Sequence, residues 1–103
     1  MNIFDDLIKL ARERKVKPVE GSYTNKLLSD KSLSKAKVLE EIDELIEAVE
    51  QDTNKIHEAE DVFYHLIMYL EANDVKIEDV VEFPLLIFLQ KYYCYRNSFF
   101  SFV

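Results

Sequence analysis

Residues 54–72 read NKIHEAEDVFYHLIMYLEA. From Val62 to Leu70 the side chains are apolar nearly all the way round a helix, a pattern typical of a buried helix. At 100° per residue, Glu58 and Asp61 lie on the same side of this helix, within about 100° of Val62. Buried carboxylates must be paired or bind a cation, because burying an isolated charge costs many kcal/mol. Since the stretch offers only Lys55 as a basic residue, it predicts a buried helix that carries cation ligands.

The composition of the whole chain favours an all-α fold. The chain has 103 residues but only 1 Gly and 2 Pro. These are too few turn-forming residues for a β-sandwich or a β-barrel. A chain of this length suits one domain. A domain this small buries a modest share of its surface, so we expect a helical bundle that is completed by oligomerisation, as a homodimer or a higher homo-oligomer.

Apolar periodicity and capping residues divide the chain into five predicted helices. The first spans residues 2–15, and the second begins after the cap Ser22 and ends at Leu28. Ser32 or Ser34 caps the third, which runs to about Gln51 and presents a buried apolar stripe. The last two span residues 54–72 and 77–82. We therefore predict an all-α domain over residues 1–82, followed by an aromatic extension of unassigned role over residues 83–103. The stripe of the third helix consists of Val38, Ile42, Leu45, Ile46 and Val49.

Net charge and cysteine content exclude several functional classes. The net charge is −7, which argues against a protein that binds nucleic acid by neutralising phosphates. The longest uncharged apolar-rich run, residues 83–90, is too short for a membrane helix. Cys94 is the single cysteine and cannot form an internal disulfide. With an N-terminus unlike a signal peptide, we expect a cytoplasmic protein that binds neither membranes nor nucleic acid.

A second pair of acids matches the first. Glu41 and Glu44 lie in one row along the predicted third helix, and Lys37 lies in the same row one turn earlier. The short connection at residues 52–53 requires this helix to pack antiparallel to the next, so the two acid pairs can converge. Oxygen ligands without cysteine favour Mg²⁺, with Mn²⁺ possible, and Mg²⁺ commonly meets substrate phosphates. The predicted metal ligands are Glu41, Glu44, Glu58 and Asp61.

Three stretches carry a family resemblance: SYTNKLL (residues 22–28), KVLEEIDE (residues 37–44) and EAEDVFYHL (residues 58–66). Together they resemble phosphoribosyl-ATP pyrophosphohydrolase of histidine biosynthesis, over about residues 3–82. Within them, the two acid pairs resemble the ExxE and ExxD signature of the wider all-α, MazG-like nucleotide pyrophosphohydrolases, which use these acids to hold Mg²⁺.

The resemblance implies Mg²⁺-dependent hydrolysis of phosphoribosyl-ATP to phosphoribosyl-AMP and pyrophosphate, by a tight helical dimer with sites near the subunit boundary. A bound Mg²⁺ can lower the pKa of a water ligand, so this chemistry needs oxygen ligands and bases more than a nucleophile. The predicted catalytic residues are Glu40, a candidate to orient or deprotonate the water, and its neighbour Glu41, which is also a predicted metal ligand. The predicted substrate-binding residues are Ser22, Thr24, Lys26 and Lys37.

Simpler interpretations of several residues stay open at this stage. Ser22 can be a helix cap alone, Lys37 can form an i, i+4 ion pair with Glu41, and Glu40 can be a solvated acid. His65 fits a satisfied core histidine better than a metal ligand. Two alternative functions also remain: a house-cleaning pyrophosphohydrolase of nucleoside triphosphates, and a non-enzymatic helical assembly module.

Overall fold

The computed structural model describes residues 3–81, and within that range it contains helices and no β-strand. This confirms the predicted all-α fold. The extension predicted for residues 83–103 lies outside the described residues. Within the described range, no helix combines the length and the apolarity needed to cross a bilayer. The helices are α1 (Ile3–Val16), α2 (Tyr23–Ser29), α3 (Lys31–Gln51), α4 (Lys55–Ala72) and α5 (Ile77–Val81).

Helix α4 is the centre of the fold, because α1, α2, α3 and α5 all contact it. The core forms where Met68 of α4 meets Ala11 of α1 and Leu27 of α2, each of which has no exposed surface. Partly buried apolar side chains surround these three residues and extend the core. They are Leu7, Leu10, Leu28, Leu33 and Tyr64.

Capping residues set the ends of α2 and the start of α3. The Ser22 hydroxyl accepts a hydrogen bond from the Asn25 backbone N–H at 3.3 Å, which confirms the predicted cap. The caps predicted for the next helix, Ser32 or Ser34, are wrong. Helix α3 begins at Lys31, because the Asp30 carboxylate accepts from the Leu33 backbone N–H at 3.0 Å and is itself the N-cap.

A tight turn joins α3 to α4. Asp52 ends α3 in the left-handed conformation, with φ 56°, and the Thr53 N–H donates to the Ala48 carbonyl at 2.9 Å. Asn54 is also left-handed, with φ 42°. Aspartate and asparagine tolerate this region better than most residues do. The turn is so short that α3 and α4 pack antiparallel, as predicted, which fixes the register between their acidic residues.

The buried stripe predicted on α3 is only partly present in one chain. Val38 is buried, but Ile46 and Val49 are 50% and 56% exposed. The α4 side chains Phe63 and Leu66 are also exposed, although the sequence predicts burial all round this helix. These positions are exposed within one chain because the described helices do not extend over this side of the α3–α4 hairpin.

The ends of α1, α4 and α5 are joined by an ionic cluster. The Arg12 guanidinium donates to Glu71 at 3.3 Å and forms an ion pair with Glu78 of α5. Glu71 is buried, and the Lys15 ammonium donates to its backbone carbonyl at 2.8 Å. Because Arg12 donates to the Glu78 carboxylate, it lowers the pKa of Glu78 to about 2. The cluster therefore supplies the buried acid with bases and joins α1 to α4 and α5.

We expect Arg12→Ala to lower the free energy of unfolding at neutral pH by about 1–2 kcal/mol, because Lys15 is then the one ion-pair partner of Glu71 left in the described part of the chain. Urea denaturation measures this change. Lys9→Ala is the control, because Lys9 lies on the same helix without an ion-pair partner among residues 3–81. An equal loss in both variants would contradict the role of the cluster.

The share of this stabilisation that Glu78 supplies depends on pH. Because its pKa is lower in the folded chain than the ordinary 4.5, its contribution is fully present above about pH 4.5. It should fade as the pH falls towards 2. The stability difference between the parent chain and Glu78→Gln, measured by urea denaturation, should therefore shrink over this interval. A difference that does not change with pH would contradict the pairing.

Candidate metal centre

Three carboxylates converge where α3 faces α4. Glu41 and Glu44 come from α3, one helical turn apart, and Glu58 comes from the first turn of α4. One oxygen from each lies within 4.8 Å of the others. The structure therefore brings together three of the four residues predicted from the sequence as metal ligands.

Two oxygens of this cluster are buried without a hydrogen-bond partner: Oε2 of Glu41 and Oε2 of Glu58. Burial raises the pKa of Glu41 above its ordinary value, and the charge of the neighbouring Glu44 raises it further. An unpartnered buried acceptor costs about 1–3 kcal/mol, and more when it is charged. A divalent cation with oxygen preference would satisfy these atoms and reduce the repulsion, so the residues present fit such an ion.

Asp61, the fourth predicted ligand, does not join the cluster in this structure. One of its carboxylate oxygens lies 3.6 Å from Nε2 of His57, one turn earlier on α4. Its charge nevertheless contributes to the raised pKa of Glu41, so it lies within electrostatic range of the centre.

Lys37 and Glu40 form an ion pair with each other beside the cluster. The Lys37 ammonium donates to Oε2 of Glu40 at 3.0 Å, an i, i+3 contact on α3. This hydrogen bond raises the pKa of Lys37. The competing partner considered from the sequence, Glu41, is therefore not the residue that Lys37 binds. The half-exposed Glu40 carboxylate therefore pairs with Lys37 and is not part of the acidic cluster.

Helix α2 contacts α4 next to the cluster through Tyr23 and His65. The Nδ1 of His65 lies 2.7 Å from the Asp61 carbonyl, so it carries the proton. Nε2 is then an acceptor, and the Tyr23 hydroxyl donates to it at 2.8 Å. His65 is buried with both ring nitrogens bonded, which confirms the interpretation as a satisfied core histidine.

The substrate-binding residues predicted on α2 lie in different environments. Thr24 is buried, and its hydroxyl is 2.5 Å from the hydroxyl of Tyr64, which gives it a packing role. Ser22 caps α2 and also accepts from Nη1 of Arg14 at 2.7 Å. Lys26 is exposed, and its ammonium has no ion-pair partner among the described residues.

The sequence interpretation did not identify Tyr23 or Arg14 as site residues. Tyr23 lies between Ser22 and Thr24, which were selected, but a seven-residue helix is too short for periodicity to show which side faces α4. Arg14 contacts α2 across the turn at residues 17–22, a contact that no local pattern reveals.

Comparisons with known proteins show the family of the chain. A family model described as phosphoribosyl-ATP pyrophosphohydrolase matches residues 4–83. The chain is 36% identical over 87 residues to a phosphoribosyl-ATP pyrophosphatase of Methanococcoides burtonii, covering 80% of this chain and 88% of that protein. It is 37% identical over 83 residues to one of Clostridium botulinum, covering 77% and 74%.

A further relative is the histidine biosynthesis trifunctional protein of Kluyveromyces lactis. The two are 45% identical over 74 residues, but the alignment spans only 9% of the trifunctional protein. No solved structure matches the chain.

The acidic cluster predicts that the difference in melting temperature between the parent chain and Glu58→Gln changes sign when Mg²⁺ is added. Without Mg²⁺, Glu58→Gln should melt above the parent chain, because it removes one of three mutually repelling carboxylates, two of which are partly buried. With Mg²⁺ at a hundredfold excess over Kd, the parent chain should gain about 2.7 kcal/mol, whereas Glu58→Gln should gain much less.

Thermal melting followed by circular dichroism, with and without Mg²⁺, measures both effects. The control is Glu60→Gln, which changes an exposed acid on the same helix and should respond to Mg²⁺ as the parent chain does. Equal Mg²⁺ responses in the parent chain and in Glu58→Gln would contradict the metal centre.

Proposed function

We propose that this chain, because it belongs to the phosphoribosyl-ATP pyrophosphohydrolase family, hydrolyses phosphoribosyl-ATP to phosphoribosyl-AMP and pyrophosphate in histidine biosynthesis. The structural observation that supports the proposal most directly is the convergence of Glu41, Glu44 and Glu58, with two buried oxygens that lack partners. Hydrolysis of a phosphoric anhydride needs such a site, because the substrate brings several negative charges to the reacting atoms.

The acids on the two helices would hold Mg²⁺, or Mn²⁺ in its place. The ligands would be Glu41, Glu44 and Glu58, with Asp61 as a fourth after its carboxylate turns from His57. When bound, Mg²⁺ would supply charge neutralisation at the phosphates and acidify a water ligand. Position supports Asp61 as a ligand, because it follows Glu58 by one helical turn.

The α–β bond of the substrate would lie beside the end of α3 that carries Lys37. In the structure this ammonium already binds a carboxylate oxygen, that of Glu40. A phosphate oxygen can replace that partner, which would leave Glu40 to orient or deprotonate the attacking water. The proposed exchange gives each member of the ion pair a role in catalysis: Lys37 binds the phosphate and Glu40 serves as the base.

The active form would be a homodimer. The exposed apolar residues of α3, at i, i+3, i+7 and i+10, form one stripe, and those of α4 follow the same heptad-like spacing. Exposed apolar patches of this kind mark association surfaces. A second copy presenting the same stripe would cover this face, which we call the hairpin face. It comprises Leu39, Ile42, Ile46, Val49, Ile56, Phe63 and Leu66.

The activity can be tested by measuring pyrophosphate release from phosphoribosyl-ATP and from a panel of nucleoside triphosphates, with and without Mg²⁺. We expect Mg²⁺-dependent turnover of phosphoribosyl-ATP. Glu44→Gln and Asp61→Asn should each reduce turnover at least about a hundredfold while the helix content is kept, because each removes a charged oxygen ligand.

Glu47→Gln is the matched control, because Glu47 is an exposed acid of α3 outside the acidic cluster, and this variant should retain turnover. Near-normal turnover in Asp61→Asn would restrict the metal centre to the three acids that converge in the structure. Equal turnover of ordinary triphosphates would instead favour the house-cleaning alternative.

The dimer can be tested by light scattering at micromolar concentration, where we expect twice the chain mass of 12.2 kDa. Ile46→Lys should give monomers, because it places a charge in the hairpin face. Val16→Lys is the control, since Val16 is also exposed and apolar but lies on α1. A monomeric, active parent chain would contradict the dimer.

A further inference from the structure

A cavity lies beside α2, and none of the residues of the acidic cluster lines it. It opens between the C-terminal end of α1, the turn at residues 17–22 and α2, with a volume of about 890 Å³. This is within the size range of small-molecule sites, about 300–1,000 Å³. Its lining includes the apolar side chains Pro18, Val19 and Leu28. We call this cavity the α1–α2 cleft.

The charged groups around the cleft are mainly basic. Arg14, Lys15 and Lys26 line it, against the acid Glu20. Lys15 is already engaged by the backbone carbonyl of Glu71 and by the carboxylate of Asp74, at 2.8 and 3.1 Å. Arg14 and Lys26 form no ion pair with any carboxylate in the described part of the chain. Two cations are thus available to a ligand in the cleft.

Among residues 3–81, the groups that hold Arg14 in position are neutral. Its Nη1 donates to the Ser22 hydroxyl at 2.7 Å, and most of the other guanidinium donors have no partner in this part of the chain. Asn25 binds the same region twice: its Nδ2 donates to the Arg14 carbonyl at 2.9 Å, and its Oδ1 accepts from the Val19 N–H at 2.8 Å. The hydrogen bonds fix the end of α1 to α2 without neutralising the guanidinium charge.

The cleft is connected to the metal centre through Tyr23. This residue lines the cleft, and its hydroxyl donates to His65, whose other nitrogen binds the Asp61 carbonyl. The charges of Lys37, Glu41 and Glu40 also influence the pKa of Tyr23, which burial raises. Tyr23 therefore borders the cleft and also lies within electrostatic range of the acidic cluster, so the two places are neighbours on the surface.

We propose that the α1–α2 cleft binds the phosphate of the substrate's phosphoribosyl group, with Arg14 and Lys26 as the side chains that hold it. This rests on the proposed function. Phosphoribosyl-ATP carries two separate anionic ends, a triphosphate and a ribose phosphate, and the acidic cluster with its cation accounts for only the first. Ordinary nucleoside triphosphates lack the second phosphate, so the cleft gives the site a means to distinguish them.

The test compares phosphoribosyl-ATP with ribosyl-ATP, the same compound without the ribose phosphate. KM and kcat for pyrophosphate release are measured with Mg²⁺ for the parent chain, Arg14→Gln and Lys26→Gln. For phosphoribosyl-ATP, each variant should raise KM about tenfold, which is the effect of losing one charge-assisted contact. The value of kcat should stay close to that of the parent chain. For ribosyl-ATP, the parent chain should already show the higher KM, and the variants should add little.

Lys17→Gln is the matched control, because Lys17 lies in the same turn but does not line the cleft. It should behave as the parent chain with both compounds. Circular dichroism melting verifies that each variant folds. If Arg14→Gln destabilises the fold because the hydrogen bond to Ser22 is lost, Lys26→Gln decides the result, because the Lys26 side chain is exposed.

An unchanged KM for phosphoribosyl-ATP in Lys26→Gln would overturn the proposal. An equal rise in KM for both compounds would also overturn it, because the cations would then act on the triphosphate. A parent chain that releases no pyrophosphate from phosphoribosyl-ATP would instead remove the proposed function itself, an outcome distinct from the other two.

Discussion

The close approach of carboxylates between α3 and α4 is the constraint on which the rest of the site depends. The left-handed turn at Asp52 and Asn54 leaves little freedom in how α4 returns along α3. Glu58 must therefore face Glu41, although the two acids repel each other and bury oxygens without partners. No lysine or arginine of the described residues forms an ion pair with them. A fold that keeps such an arrangement pays a stability cost that binding of a cation can offset.

The sequence predicted the part of this site that follows from helical geometry. Acids at i, i+3 must share a side of a helix, and a short connection must reverse the chain, so the meeting of Glu41, Glu44 and Glu58 could be anticipated. The orientation of Asp61 could not, because its carboxylate is directed by His57, and side-chain rotation lies outside any periodic pattern. The choice of Asp30 over Ser32 as cap likewise depends on where the preceding helix ends.

The burial of α3 shows a different limit of sequence analysis. Periodicity indicates which side of a helix is apolar, but it does not indicate what covers that side. Ile46 and Val49 belong to the predicted stripe, and yet each is at least half exposed in one chain. The contacts of α2 show the same limit over long sequence separations. Tyr23 meets His65 forty-two positions later, a pairing that depends on how α2 and α4 pack.

Helix α2 occupies the position that links these features. It is bonded to α4 through Tyr23 and Thr24, and to α1 through Ser22 and Asn25, so a seven-residue helix is fixed on two sides. Such bonding matters for a substrate with two anionic ends, because discrimination requires that the two subsites keep a constant separation. The acids of α3 and α4 can supply reactivity towards any triphosphate. Selectivity would then come from the α1–α2 cleft, where Arg14 of α1 and Lys26 of α2 carry their charges on helices that the core holds in place.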